Sequence, residues 1–210
     1  IIACSQYSYM SSERVSGNGD IVTEIRDAGE FTELRITGAR STIVYGDEDG
    51  PIRLTGDSNI LEQTVSYVDG NTLIITSKNG MSLNPSQRVE IEVPSKRLNF
   101  VRVSGSNIIE LRDIDQDRFG IRGSGSTRVE ADGRVDILEI RMSGSSRIIA
   151  PDLMSKQAEV RTSGSSKAEI YVTERIESRS SGSSEIVLYG SPERIVNRSS
   201  GSSRLISVGN

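Results

Sequence analysis

Glycine flanked by serine recurs through the second half of the sequence, at Gly105, Gly125, Gly144, Gly164, Gly182 and Gly201, and an arginine stands three residues before each of them. Two chemistries are open to such a phrase. A serine hydroxyl on a tight turn can act as a nucleophile when a base sits beside it, and a run of arginines can hold carboxylates or phosphates through paired N–H donors. The nucleophile reading fails on composition and on frame. The sequence contains no histidine, which removes the commonest general base. Neither Ser163, Ser165 nor any equivalent has glycine two residues away on both sides, the frame of the strained serine elbow of hydrolases. No Gly-Lys-Ser/Thr follows the glycines, so a phosphate loop is unsupported as well. Recurrence points to structural corners instead. Glycine supplies a backbone conformation barred to other residues, while stacked hydroxyls such as Ser163 and Ser165 satisfy neighbouring backbone groups.

The arginines form a column: Arg102, Arg122, Arg141, Arg161, Arg179 and Arg198, joined by Arg35 in "LRITGAR" and Arg53 in "IRLTGDS". Strand alternation places them opposite the aliphatics one residue earlier, on the outer face. Like charges stacked at strand spacing repel unless compensated. Glu139, Glu159 and Glu177, two residues upstream on the same face, are the expected compensation. The column then reads as a solvated surface that keeps the faces unattractive to other sheets. The alternative is a linear cationic track for an anionic polymer such as an acidic glycan, its weak contacts adding through multivalency.

Two further features could carry chemistry. Asp113, Asp115 and Asp117 in "RDIDQD" are the densest acidic group, and on an extended strand alternation sets all three on one side. Clustered carboxylates can serve acid–base work on glycans or bind calcium, but no glycine-centred calcium loop surrounds them, and a polar insertion between coils is the simpler account. The only cysteine, Cys4, sits in "IIACSQYS", where two aliphatics and a small residue precede the thiol as in the cleavage box of a bacterial lipoprotein signal. On that reading Cys4 is the lipidated first mature residue and provides the sole membrane attachment. No cofactor or metal is implied.

The elements that must position these residues follow from the repeat itself. Intervals between the glycines are 20, 19, 20, 18 and 19. Four residues before each stand Val101, Ile121, Ile140, Val160, Ser178 and Asn197; four residues after stand Ile109, Val129, Ile148, Ala168, Ile186 and Leu205. Val/Ile/Arg/Thr alternation marks both flanks as strands rather than helices. Two short strands meeting at a glycine corner once per coil predict an all-β, parallel β-solenoid with coils of about 18–20 residues. Only 34% of residues are apolar and 4% aromatic, which suits a narrow aliphatic core better than a compact globule. The formal charge of −4 is dispersed along the chain, so nucleic-acid binding gets no support. We expect an N-terminal tether at 1–20 and one solenoid domain at 21–210, with wider or distorted coils at 21–98 and regular Ser-Gly-Ser coils at 99–210.

The phrases "VEIEVPSKRLNFVRVSGSNIIEL", the repeated "SGSS" and "EIVLYGSPERIVNRSSGSSRLI" resemble the bacterial family of putative auto-transporter adhesins with a head GIN domain. Its distinctive parts are the strand ending in Val-Pro before the first Ser-Gly-Ser and the Tyr-Gly-x-Pro of Tyr189, Gly190 and Pro192. The resemblance implies a right-handed β-helix in an envelope or secreted setting, and it carries no catalytic residues. The expectation is therefore a nonenzymatic binding module of the bacterial cell envelope, an outer-membrane lipoprotein or a surface or periplasmic protein. Its partners would be glycans or envelope and surface proteins, and exposed strand edges at a solenoid end leave homo-oligomers open. The competing classes are a carbohydrate-active β-helix enzyme, a lyase or hydrolase built on the aspartates, and a self-assembling structural protein of the envelope.

Overall fold

The computed structural model describes residues 14–38, 40–46 and 49–209, and it is a parallel β-solenoid of about 5 turns. The strand Ile108–Gly125 shows how one coil is built. Ile109 and Leu111 point inward, the chain bends at Asp113 (φ 53°), Ile114 and then Phe119 and Ile121 re-enter the core, and Gly125 (φ 88°) makes the corner. The strands Arg128–Met142, Arg147–Thr162 and Lys167–Ser180 repeat this path, each parallel to the one before.

Both predicted aliphatic columns are present as stacked neighbours. Val101 pairs with Ile121, then Ile140, Val160, Ser178 and Asn197 follow in register. The second runs from Ile109 through Val129, Ile148, Ala168 and Ile186 to Leu205. Each coil covers the apolar face of its neighbour, so the core is a narrow aliphatic column. Where the first column turns polar it satisfies itself: the buried Ser178 hydroxyl donates to Asn197 Oδ1 at 2.8 Å.

The corners depend on glycine for two reasons. All six have φ between 71° and 112°, a left-handed region that strains L side chains. A Cβ at Gly164 would also lie 2.7 Å from the carbonyl oxygen of Gly144, the atom that accepts a hydrogen bond from Ser165 N at 2.9 Å. The hydroxyl that satisfies the corner is not the one expected. Ser166, buried one residue beyond Ser165, donates to Ser163 O at 2.9 Å, and Thr127, Ser146 and Ser184 do the same in their coils. Ser165 is exposed and Ser163 half-buried.

The first half departs from simple coiling. "LRITGAR" joins the array, since Glu33–Gly38 lies parallel to Phe100–Gly105 with Leu34 beside Val101 and Gly38 beside Gly105. "IRLTGDS" does not. Its strand, Ile52–Asp57, runs antiparallel to both Ile21–Arg26 and Val89–Pro94. Gly56 lacks the positive φ of a corner, and a single helical turn, Ser58–Leu61, follows and buries Ile60 and Leu61. Asp57 locks this reversal. Its fully buried carboxylate accepts hydrogen bonds from Gly19 N at 2.7 Å, Ser86 N at 2.9 Å and Ser86 Oγ at 2.6 Å, tying three segments together. Residues 64–77 add an antiparallel hairpin, so 21–98 are not merely widened coils. Ahead of residue 21, Arg14–Ser16 forms a separate two-stranded parallel sheet with Ser82–Asn84.

Two outcomes follow for stability. Gly164→Ala combines backbone strain with a carbonyl clash and should cost about 1–3 kcal/mol, whereas Ser165→Ala should stay within about 0.5 kcal/mol; urea unfolding reads both. Burial acts to raise the Asp57 pKa, but the Ser86 hydroxyl and the Gly19 and Ser86 amides outweigh it and hold the value below the ordinary 3.8. A carboxylate with a depressed native pKa contributes stability that is present above its unfolded pKa and lost as pH falls through the native one. An acid titration should therefore show a destabilising limb below about pH 4 that Asp57→Asn flattens.

Candidate arginine ladder and its groove

The same in-register stacking that builds the core builds the outer column. Arg35, Arg102, Arg122, Arg141, Arg161, Arg179 and Arg198 are consecutive neighbours across seven strands. Arg35 and Arg102 are adjacent although 67 residues separate them in sequence. Arg53 lies outside the ladder. It sits opposite Glu92 in the antiparallel part of the sheet and forms an ion pair with it at 3.7 Å.

The expected glutamate compensation holds for two rungs. Glu159 pairs with Arg161 at 2.5 Å and Glu177 with Arg179 at 3.2 Å. It fails elsewhere for reasons visible in the column two residues upstream. Glu139 is taken by Arg118 on the neighbouring coil instead of Arg141. Glu33 accepts hydrogen bonds from Asn71 and Thr72, away from Arg35. Before Arg102 and Arg122 the column holds Phe100 and Gly120, so no acid is offered. Among the described residues Arg35, Arg102, Arg122 and Arg141 thus have neither an ion pair nor a side-chain hydrogen bond.

An aromatic ring takes the missing acid's place. The Phe100 ring lies across Gly120 of the next coil, where a Cβ would be only 2.3 Å from it. Arg102 Cζ lies 5.7 Å and Arg122 Cζ 5.9 Å from the ring centroid, within cation–π range. Burial, then the neighbouring charges of Arg102 and Arg141, hold the Arg122 pKa below its ordinary value, with Glu139 partly offsetting them. The Nε atoms of Arg102 and Arg161 are shielded from solvent without a hydrogen-bond partner. Together Arg35, Arg102, Arg122, Arg141 and Arg161 line a groove of 380 Å³, alongside the hydroxyls of Thr37, Ser104, Ser124, Ser143 and Ser163. Arg179 and Arg198 border a separate concavity.

Other stacked charges are matched in part, since Arg147, in register between Arg128 and Lys167, has no ion pair among the described residues. Lys167 reaches both Glu169 and Glu185, and Arg204 also binds Glu185. The Arg204 hydrogen bond, more than burial opposes it, draws the Glu185 pKa down. The aspartates do not make a site. Asp113 occupies the left-handed bend, where the register slips between Leu111 and Ile114, and its amide donates to Asp132 Oδ1 at 2.8 Å. Arg112 binds Glu110 and Asp132, each at 3.0 Å. Asp115 and Asp117 follow beyond the bend and are exposed, so the three carboxylates do not share one flat strand face. No group of three acidic or thiol ligands that could hold a metal occurs among the described residues, and none of their helices is long and apolar enough to cross a membrane. Cys4 lies outside the described residues.

Fold and ladder define a class: a parallel β-solenoid that carries its charged groups as repeated surface columns. The chain belongs to the family described as "Putative auto-transporter adhesin, head GIN domain", which it matches over residues 30–192. That family points to a cell-surface or envelope setting. A putative adhesin from Bacteroides fragilis has a similar structure, with a TM-score of 0.71 and 18% identity over 92% of this chain and 100% of that one. A putative adhesin from Parabacteroides merdae is similar at TM-score 0.59 and 17% identity, over 93% of this chain and 99% of that one. A protein from Parabacteroides distasonis described as a putative lipid binding protein is similar at TM-score 0.57 and 22% identity, over 93% and 100%. No curated protein matches the chain.

The free arginines give the groove a stability signature. Arg141 stands between two arginines and has no acid of its own, so Arg141→Gln should stabilise the fold by about 0.2–1 kcal/mol at low salt. Thermal melts should show the gap closing near 1 M salt, where the screening length falls to about 3 Å.

Proposed function

We propose that this chain is a nonenzymatic binding module of the bacterial cell envelope, held at the membrane through a lipidated Cys4, whose ribbed solenoid face engages glycans or envelope and surface proteins. The observation that carries the reading is the outward groove in which successive arginines are left without acids. Unpaired like charges at strand spacing are unfavourable for the fold, which is the usual mark of a surface kept for binding. The family's description as an adhesin supports the same reading. An elongated face of repeated weak contacts suits avidity better than it suits turnover.

The test is a screen of the full chain against glycans and envelope components, with product formation measured for every hit. Binding without turnover is expected; turnover of a bound glycan overturns the reading. Expressed behind a lipoprotein secretion signal in a Gram-negative host, the protein should fractionate with membranes, and Cys4→Ser should move it to the soluble fraction.

A further inference from the structure

We infer that the free segment of the ladder, Arg35, Arg102, Arg122 and Arg141, is a site for a linear polysaccharide that carries one carboxylate on each sugar residue. This rests on the binding-module reading and assigns it a ligand class.

The first argument is charge. Four successive arginines lack acids because Glu33 and Glu139 are drawn to other partners and because Phe100 and Gly120 replace the acid altogether. The next two rungs, Arg161 and Arg179, pair with Glu159 and Glu177, the latter shared with Arg175. Four free guanidinium groups in a row therefore line one groove, while the terminal Arg198, also without an acid, borders a separate concavity.

Donor geometry is the second argument. The Phe100 ring holds the guanidinium groups of Arg102 and Arg122 at 5.7 Å and 5.9 Å, which limits their rotamer freedom before a ligand arrives. The Arg102 Nε is shielded from solvent, so a carboxylate would approach end-on and accept from the two terminal nitrogens. The depressed Arg122 pKa, caused by burial and then by Arg102 and Arg141, would be relieved by the same anion.

Spacing selects the polymer. Coils repeat about every 4.8 Å, so the four guanidinium groups extend over about 14 Å. A uronic acid residue in an extended chain advances by a similar distance, so the chain keeps step with the coils, and carboxylates reach the arginines from those residues whose twist turns them toward the groove. Duplex DNA rises about 3.4 Å per phosphate of each strand along its helix axis and falls out of register. A single concave row also fits one strand of polymer better than the plane of a membrane. Two residues along from each arginine, Thr37, Ser104, Ser124 and Ser143 line the same groove and supply partners for sugar hydroxyls.

Calorimetric titration of the full chain with galacturonate oligomers of increasing length tests the assignment, with their methyl esters and phosphatidylglycerol vesicles as competing probes. Affinity should climb steeply up to four sugar residues and then level off, fall with salt, and vanish for the methyl esters. Arg122→Gln should lose at least about tenfold and Arg122→Lys less, because lysine keeps the charge without the bidentate fork. Arg198→Gln, outside the groove, should stay within about twofold, and melting curves report whether each variant folds. Equal binding of the methyl ester, indifference to both Arg122 variants, or a preference for the vesicles overturns the inference. Other envelope components bound in the screen without any galacturonate binding would overturn this assignment alone and leave the binding-module reading standing.

Discussion

Parallel, in-register stacking sets every residue of a coil about 4.8 Å from its equivalent in the next, so each choice of side chain is made against a copy of itself. Aliphatics gain from this, because Ile140 on Ile121 and Val160 on Ile140 leave no gap in the column. Buried hydroxyls gain too, since Ser166 and its equivalents find a carbonyl at a fixed place in every coil. Glycine corners can stack because nothing but hydrogen separates Gly164 from the Gly144 carbonyl. Charges are the case that stacking penalises.

How the chain handles that penalty divides its surface. Lys167 and Arg112 each bridge an acid on their own strand and one on a neighbouring coil, and Arg204 binds Glu185 across coils. Along the arginine ladder the same device operates at Arg161 and Arg179 and stops short of Arg141. It stops at Arg141 because Glu139 turns to Arg118, and at the next two rungs Gly120 and Phe100 stand in place of the acid. A fold built on repetition acquires a distinct stretch of surface by breaking one column.

Much of this architecture was legible in advance because a solenoid repeats its physics. Six glycines at intervals near nineteen residues and two aliphatic columns correctly predicted the regular coils, their register and the outward direction of the arginines. Local likeness misled where the chain changes direction. "IRLTGDS" reads like "LRITGAR", yet Arg53 faces Glu92 in an antiparallel pair because Asp57 is anchored to Gly19 and Ser86. The hydroxyls beside glycine drew attention, whereas the buried one is Ser166, a distinction of depth that a Ser-Ser pair does not display. The aspartates lose their common face to a left-handed bend at Asp113 that alternation alone does not foresee.

What the sequence determined unaided is everything that recurs: corner, core columns and an outer line of arginines, because a period that matches one coil admits one way of stacking. Only the tertiary structure decided which arginines are free. The partners of Glu33, Glu139 and Arg118 lie on other strands, and Phe100 acts on Arg122 across a coil boundary. Charge compensation runs through space between coils, and one-dimensional spacing records only the acids nearby in the chain, not the ones each side chain reaches.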